Sequence, residues 1–295
     1  MRRLRLVFGI LIAALSISVA VAALYLSKGA PLSVMATPAA DAATQQRSGV
    51  EITYIANEGV LLSADGKQVL IDGLHRNERP FSHYAFLPPA ERDKIETAQA
   101  PFDKIDLLLV SHRHYDHFHA EGVGLHLKHN PKAVLVSSQQ VVSEVAKNFK
   151  EYEAIKTRVL AVTPPLKERV DVKIAGLEFE MLGLGHGSGS FSEIQNLGHI
   201  VKLGGKKLLH VGDVEPDAEI FAKFKLVEAG IDVAILPFWF LTGKDGQAIV
   251  KEHIKPKHLI AVHTETLKAA SITSQIKEAF PDAVVFTTML EKRRY

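Results

Sequence analysis

The chain has no cysteine. That excludes disulfides, thiolate metal ligands and a nucleophilic thiol, and it leaves the redox compartment open. It also lacks a strong charge of either sign: the formal net charge is +2 over 295 residues. Arg2, Arg3, Arg5 and Lys28 come before any acidic residue, so the rest of the chain is slightly negative. A near-neutral globular part argues against nucleic acid as the main partner, because a phosphate backbone selects a basic surface. There is no internal repeat, and no low-complexity tract outside residues 27–49. With 47% hydrophobic residues the chain can bury one large core.

Residues 6–26 form an uncharged run, mostly Ala, Val, Leu and Ile, directly after the three arginines. This is the pattern of a secretory signal peptide or a signal anchor. Ala20-Val21-Ala22 offers a small-residue cleavage site, whereas the full run is long enough to span a bilayer. A buried core helix would need a polar face, which the run lacks. On either reading the arginines stay cytoplasmic and the domain is exported. The expected location is periplasmic, free or held at the inner membrane by residues 6–26. Residues 27–49 are rich in Ala, Ser, Thr, Pro and Gln without a period, and read as a linker. The expected division is a signal or anchor at 1–26, the linker at 27–49 and one catalytic domain at 50–295.

Within that domain, short apolar runs alternate with helical patterns, as in an α/β fold. Strands are expected at 51–56, 60–63 and 67–71, then at 105–110. A helix follows at 119–129, a strand at 133–137 and a helix at 138–149. Strands at 158–162, 170–174 and 177–182 come next, and later ones at 231–237, 258–262 and 283–287. Residues 246–254 fit a helix, and residues 291–295 read as a charged tail. Residues 75–101 show no clean period and suggest a lid or a covering loop; His75 and His83 within it read as surface or packing histidines.

The strand ending at Val110 leads into Ser111-His112-Arg113-His114-Tyr115-Asp116-His117. Three imidazoles and a carboxylate in so short a span are hard to explain without a metal, although a histidine-rich surface loop is the bland alternative. His112 and His114 are two apart, so in an extended turn their rings share a side and can share an ion. Asp116 and His117 follow where the chain bends, and can face a second ion. Imidazole nitrogen and carboxylate oxygen suit zinc, and also iron or manganese.

This stretch resembles the His-x-His-x-Asp-His signature of the metallo-β-lactamase superfamily. The resemblance extends over residues 51–288 and is most similar to the branch containing the ascorbate-phosphate lactonase and N-acylphosphatidylethanolamine phospholipase D. It implies an αββα sandwich with a binuclear site at one edge. It implies that Asp72, after the hairpin strand, buttresses the metal histidines; a simple turn Asp is the alternative. It expects a third histidine near residue 186, and His186 lies in the glycine-rich loop Gly183 to Gly189. His199 and His210 compete for that place, but both sit within strands, where packing is the commoner role. It places a bridging aspartate at Asp213, which could otherwise cap the next helix, and a last histidine at His263. His253 and His258 lie near lysines and look solvated.

The resemblance then implies two divalent ions, zinc foremost, sharing a hydroxide. One is held by His112, His114 and His186, the other by Asp116, His117 and His263, with Asp213 between them. Such ions supply a nucleophile without a serine or cysteine. Asp116 would orient it and carry a proton to the leaving group. His119, Tyr115 or Tyr84 could donate a hydrogen bond to the oxyanion. Phe238, Trp239 and Phe240, with Tyr84, offer either an apolar wall for an acyl or aromatic group or plain packing. The expected reaction is hydrolysis of an ester, lactone, amide or phosphodiester in a small-molecule or lipid-like substrate. Two alternatives stay open: an iron-dependent sulfur dioxygenase-type oxidoreductase on this fold, and a catalytically silent metal-binding envelope protein.

Overall fold

The computed structural model describes residues 49–76 and 83–295. The expected signal or anchor, and all of the linker but Gly49, lie outside the described residues. Among the described residues no helix is long and apolar enough to cross a membrane.

Two seven-stranded sheets face each other. The first contains β1 (Glu51–Ala56), β2 (Gly59–Ala64), β3 (Lys67–Ile71), β4 (Leu107–Val110), β5 (Val134–Ser137) and β6 (Val159–Ala161). The second contains β7 (Arg169–Ile174), β8 (Leu177–Gly185), β9 (Gln195–Leu203), β10 (Lys206–His210), β11 (Val233–Pro237), β12 (His258–Val262) and β13 (Val284–Val285). The last strand, β14 (Lys292–Arg294), returns to the first sheet beside β1, giving the orders β14-β1-β2-β3-β4-β5-β6 and β13-β12-β11-β10-β9-β8-β7.

Strand alternation builds the layers. Along β4, Leu107 and Leu109 enter the core between the sheets, while Leu108 and Val110 pack outward against helices. Along β11, Val233 and Ile235 point inward, and Ala234 and Leu236 outward. Both faces are covered, which is why these strands read as unbroken apolar runs. The outer layer of the first sheet is α1 (Pro89–Glu96), α2 (Ala120–His129) and α3 (Gln139–Asn148). That of the second is α4 (Ala218–Phe224), α5 (Leu226–Ala229), α6 (Phe238–Thr242), α7 (Lys244–Ile249) and α8 (Ala269–Ala279). The result is the αββα sandwich.

Four expectations need correction. Residues 292–294 are not a loose tail: they pair antiparallel with β1, Arg294 opposite Glu51 and Lys292 opposite Thr53. The strand at 283–287 shrinks to Val284–Val285. The helix at 246–254 is α7 followed by a π turn, Val250–Ile254, ending on Lys255 in the left-handed region. The segment 75–101 contains α1, started by Pro89 in its first turn, where a missing N–H costs nothing.

What positions the site is strand direction. β3–β6 run parallel, as do β10–β13, and β8 is antiparallel to β9, which is antiparallel to β10. The C-terminal ends of β3, β4, β8, β10 and β12 therefore meet at one edge, where open α/β sheets place their sites.

Candidate metal centre

Each of those five strands ends in a polar residue of the site: Asp72, His112 to His117, His186, Asp213 and His263. After β4 the chain turns through a backbone bond from His117 N–H to the His114 carbonyl (3.0 Å), and His119 Nδ1 then caps α2 by accepting from Gly122 N–H (3.3 Å). The capping role ties up one nitrogen of a residue considered for the oxyanion.

Seven side chains form two adjoining groups. In the first, His114 Nδ1 lies 3.0 Å from His112 Nε2 and 3.1 Å from His186 Nε2. Asp213 Oδ2 is 3.8 Å from His112 Nε2 and 3.7 Å from His186 Nε2. In the second, His117 Nε2 and His263 Nε2 are 3.1 Å apart, and Asp116 Oδ2 is 3.2 Å from His263 Nε2. Asp213 Oδ1 stands 3.3 Å from His117 Nε2 and 3.2 Å from His263 Nε2. Asp213 thus turns one oxygen to each group. Within each group the candidate ligand atoms lie within 4.8 Å of one another.

Partners behind the rings set the tautomers. Asp72 is fully buried and its Oδ1 accepts from Ser111 N–H at 2.7 Å. Its Oδ2 accepts from Ser111 Oγ at 2.5 Å and from His117 Nδ1 at 3.0 Å. The Ser111 hydroxyl, having given its proton to Asp72, accepts from His112 Nδ1 at 3.0 Å. His112 and His117 therefore each donate from Nδ1 and turn Nε2 into the site, the nitrogen that would bind a cation.

Electrostatics agree with a cation site. Burial holds His112 well below its ordinary pKa, and burial with the neighbouring imidazoles lowers His114 to about 4. Burial also lowers His186. Burial opposes charge on His117 and His263 too, yet Asp213 and Asp116 overcome it, raising His117 well above the usual range and His263 to about 10. Positive charge is favoured there, between the carboxylates of Asp116 and Asp213. Asp116 Oδ1, Asp213 Oδ1 and His263 Nδ1 are buried without a hydrogen-bond partner. Converging imidazole nitrogens, carboxylates and orphaned oxygens fit hard or borderline divalent cations. Asn57, Asp72 and His263 hold left-handed backbone at φ of 51°, 48° and 61°, a conformation non-glycine residues adopt at a cost.

The competing histidines lie elsewhere. His199 and His210 are opposite each other on β9 and β10, fully buried between the sheets. His210 Nε2 donates to the Glu58 carbonyl at 3.1 Å. His75 is a buried packing residue with Nε2 3.3 Å from the Ala56 carbonyl; His83 and His258 are exposed and His253 half-buried.

Aromatic side chains frame the mouth. Tyr84 and Trp239 stand edge-on to His263, with ring centroids 4.2 and 5.2 Å away. Burial pushes the Tyr84 hydroxyl up from its ordinary pKa. Phe238 packs on Trp239, while Phe240 is buried in the outer core, so only part of the aromatic triplet reaches the site. Across the centre, exposed Phe191 stacks on His186 at 5.0 Å. Sequence reasoning missed Phe191, whose only signal was its nearness to the glycine-rich loop. Cavities of about 570 Å³ beside Gly185, Gly187 and Glu215 and about 610 Å³ beside Arg113, His114 and Tyr115 flank the histidines. Sequence reasoning also missed Asn57 and Glu58, both buried in the turn between β1 and β2. A model of the beta-lactamase superfamily domain matches residues 68–274.

A UPF0173 metal-dependent hydrolase of Pyrococcus furiosus is 28% identical over 74% of this chain and 85% of its own length. One from Thermus thermophilus is 25% identical over 74% of this chain and 84% of its own. Among solved structures, a metallo hydrolase of Ignicoccus hospitalis aligns with a TM-score of 0.58 at 18% identity, covering 84% of this chain and 98% of that one. The metallo-beta-lactamase fold protein YhfI of Bacillus subtilis aligns at 0.57 and 14% identity, over 84% of this chain and all of its own. These two likenesses speak to the fold alone. The family match spans well over half of the chain: this protein belongs to the beta-lactamase superfamily domain family, as a metal-dependent hydrolase on the metallo-β-lactamase fold.

Proposed function

We propose that this metal-dependent hydrolase is exported and works with two divalent ions, zinc foremost, on an ester, lactone, amide or phosphodiester. The observation that supports two ions is Asp213, whose Oδ2 faces His112 and His186 while its Oδ1 faces His117 and His263. His112, His114 and His186 would hold one ion, Asp116, His117 and His263 the other, with Asp213 between. When bound, two such ions acidify water and polarise a carbonyl or phosphoryl oxygen. The chain's own residues do the rest. Asp116 has Oδ2 engaged by His263 and Asn57, while its buried Oδ1 is unpartnered. In this reading that oxygen would take a proton from the attacking water and pass it to the leaving group. Asp72 holds the His117 ring directly and the His112 ring through Ser111, so neither turns as charge develops. Tyr84, Trp239 and Phe191 exclude water on opposite sides of the centre and favour a substrate with an apolar group, small-molecule or lipid-like.

The test is metal content of the purified full chain by elemental analysis, with turnover of lactones, aryl esters and phosphodiesters. About two zinc per chain with turnover supports the proposal, and Asp116→Ala, which removes both a holder of the second ion and the proposed proton carrier, is expected to lose turnover. Iron with oxygen uptake, or metal without any turnover, overturns it. Export is tested by fractionation and by the mass of the mature N-terminus; a cytoplasmic chain would refute that part.

A further inference from the structure

The turn between β1 and β2, residues Asn57 and Glu58, touches all three residues that would hold the second ion. Asn57 Nδ2 donates to the Asp116 carbonyl at 3.0 Å and to Asp116 Oδ2 at 3.3 Å. The Asn57 carbonyl accepts from His263 N–H at 2.9 Å. Glu58 Oε2 lies 3.6 Å from His117 Nδ1, on the side of the ring away from the site. Both residues are buried, Asn57 at 0% and Glu58 at 1% exposure.

Glu58 is the anomaly. Neither of its carboxylate oxygens has a hydrogen-bond partner. Its ion-pair partners among the described residues are two imidazoles, His117 and His210, the latter at 3.8 Å. No lysine or arginine pairs with it there. A buried, unbonded carboxyl group is costly and needs a compensating interaction. The neighbouring Asp72 has no such need, since Ser111 and His117 fill its oxygens. A cation held by His117 would place positive charge across the imidazole from Glu58, whose Oε2 lies 3.6 Å from His117 Nδ1.

We infer that the Asn57–Glu58 turn is a positioning element for the second cation site, Asn57 acting through Asp116 and His263, and Glu58 through His117. This rests on the two-ion proposal above. The hydrogen bonds of Asn57 and the ion pair of Glu58 with His117 run to the group that would hold the second ion, Asp116, His117 and His263. The left-handed Asn57, φ 51°, is what lets one short turn present a side chain and a carbonyl to two different ligands. Partners behind metal ligands typically govern affinity by about tenfold to a hundredfold.

The experiment titrates the metal-free full-length chain with Zn²⁺ by calorimetry, for wild type, Asn57→Gly and Glu58→Gln. Glycine keeps the left-handed backbone and the carbonyl to His263 while removing the amide. Glutamine keeps the shape of Glu58 and removes its capacity to carry a negative charge. The expected result is a first binding step as in wild type and a second weakened about tenfold or more in each variant. Metal-free Glu58→Gln is expected to melt no lower than wild type, because it loses an unbonded buried carboxyl group. Equal weakening of both steps with a lower metal-free melting temperature would mean a merely structural role and would overturn the inference. So would two steps untouched by either variant, which leaves the two-ion reading standing. A wild-type chain that takes up a single ion would overturn that reading, and this inference with it.

Discussion

Trp239 stands edge-on to the imidazole of His263, ring centroids 5.2 Å apart at an interplanar angle of 67°. Its indole Nε1 donates to the Val214 carbonyl at 3.0 Å, one residue beyond Asp213. It is the sole tryptophan of the chain. Its fluorescence is therefore expected to report on an ion bound at the candidate metal centre without labelling. Loading the metal-free protein with Co²⁺, a paramagnetic quencher, is expected to dim the emission strongly, with Zn²⁺ changing it less. Trp239→Phe should lose the signal and keep its metal content. Emission indifferent to cobalt at full loading would place the ion away from His263.

Gly212 carries a left-handed φ of 58°, and a Cβ there would lie 2.4 Å from Asn196 Oδ1 and 2.6 Å from Ser111 Cβ. Only glycine lets the segment after β10 pass this close to Ser111 at the end of β4, which is what brings Asp213 up to the histidines. Gly212→Ala is expected to lose about 2 to 4 kcal/mol of stability from strain and overpacking, and to lower metal content. Urea unfolding with elemental analysis reads both. Unchanged values would show that the loop relaxes freely.

His126 is fully buried in α2, Nδ1 2.6 Å from the Ile95 carbonyl and Nε2 facing the Asn130 amide at 3.4 Å. Burial outweighs the Ile95 bond and pushes it from 6.5 down to about 4. Unfolding frees it to take a proton below its ordinary value, so the unfolded chain binds more protons between those two limits. Stability is thus whole above pH 6.5 and falls as the pH drops to about 4, by roughly 3 kcal/mol from this residue. His75, lowered to about 4 mainly by burial, adds in the same direction. Unfolding of the metal-free chain from pH 7 to 4 should show this acid slope, shallower in His126→Gln. Equal slopes in the two would assign the acid loss elsewhere.

The C-terminus is structural. Val50 and Tyr295 exchange two backbone bonds of 3.0 Å, and β14 continues that pairing along β1. Deleting residues 292–295 is expected to cost about 2 to 4 kcal/mol, several ladder bonds at about 1 kcal/mol each, and to promote association through the bared edge of β1. Thermal melts and light scattering check this. A truncated chain as stable and monomeric as the full one would contradict it.

The stretch from His112 to His117 was legible as a candidate metal site because its residues are neighbours in sequence and sit at the end of an apolar strand. His186 could be told from His199 and His210 by its loop, since a residue in the middle of a strand is committed to a sheet face. The aromatic triplet was only half legible. Its helical turn, α6, sends Phe240 into the core and leaves Trp239 at the site, and periodicity cannot assign so short a helix.

Composition, strand alternation and the order of Asp72, the histidine cluster, His186, Asp213 and His263 determined the fold class and the candidate ligands, because each is a local pattern. Tertiary structure decided what no local pattern holds. It paired residues 292–294 with β1, a contact spanning nearly the whole domain. It gave the two oxygens of Asp213 to two different groups. It brought Asn57 to Asp116, 59 residues away, and turned Glu58, an ordinary turn residue by sequence, into an unbonded buried acid behind His117. The physical reason is the same each time: hydrogen bonding, burial and charge act through space, and only the convergence of five strand ends sets those distances.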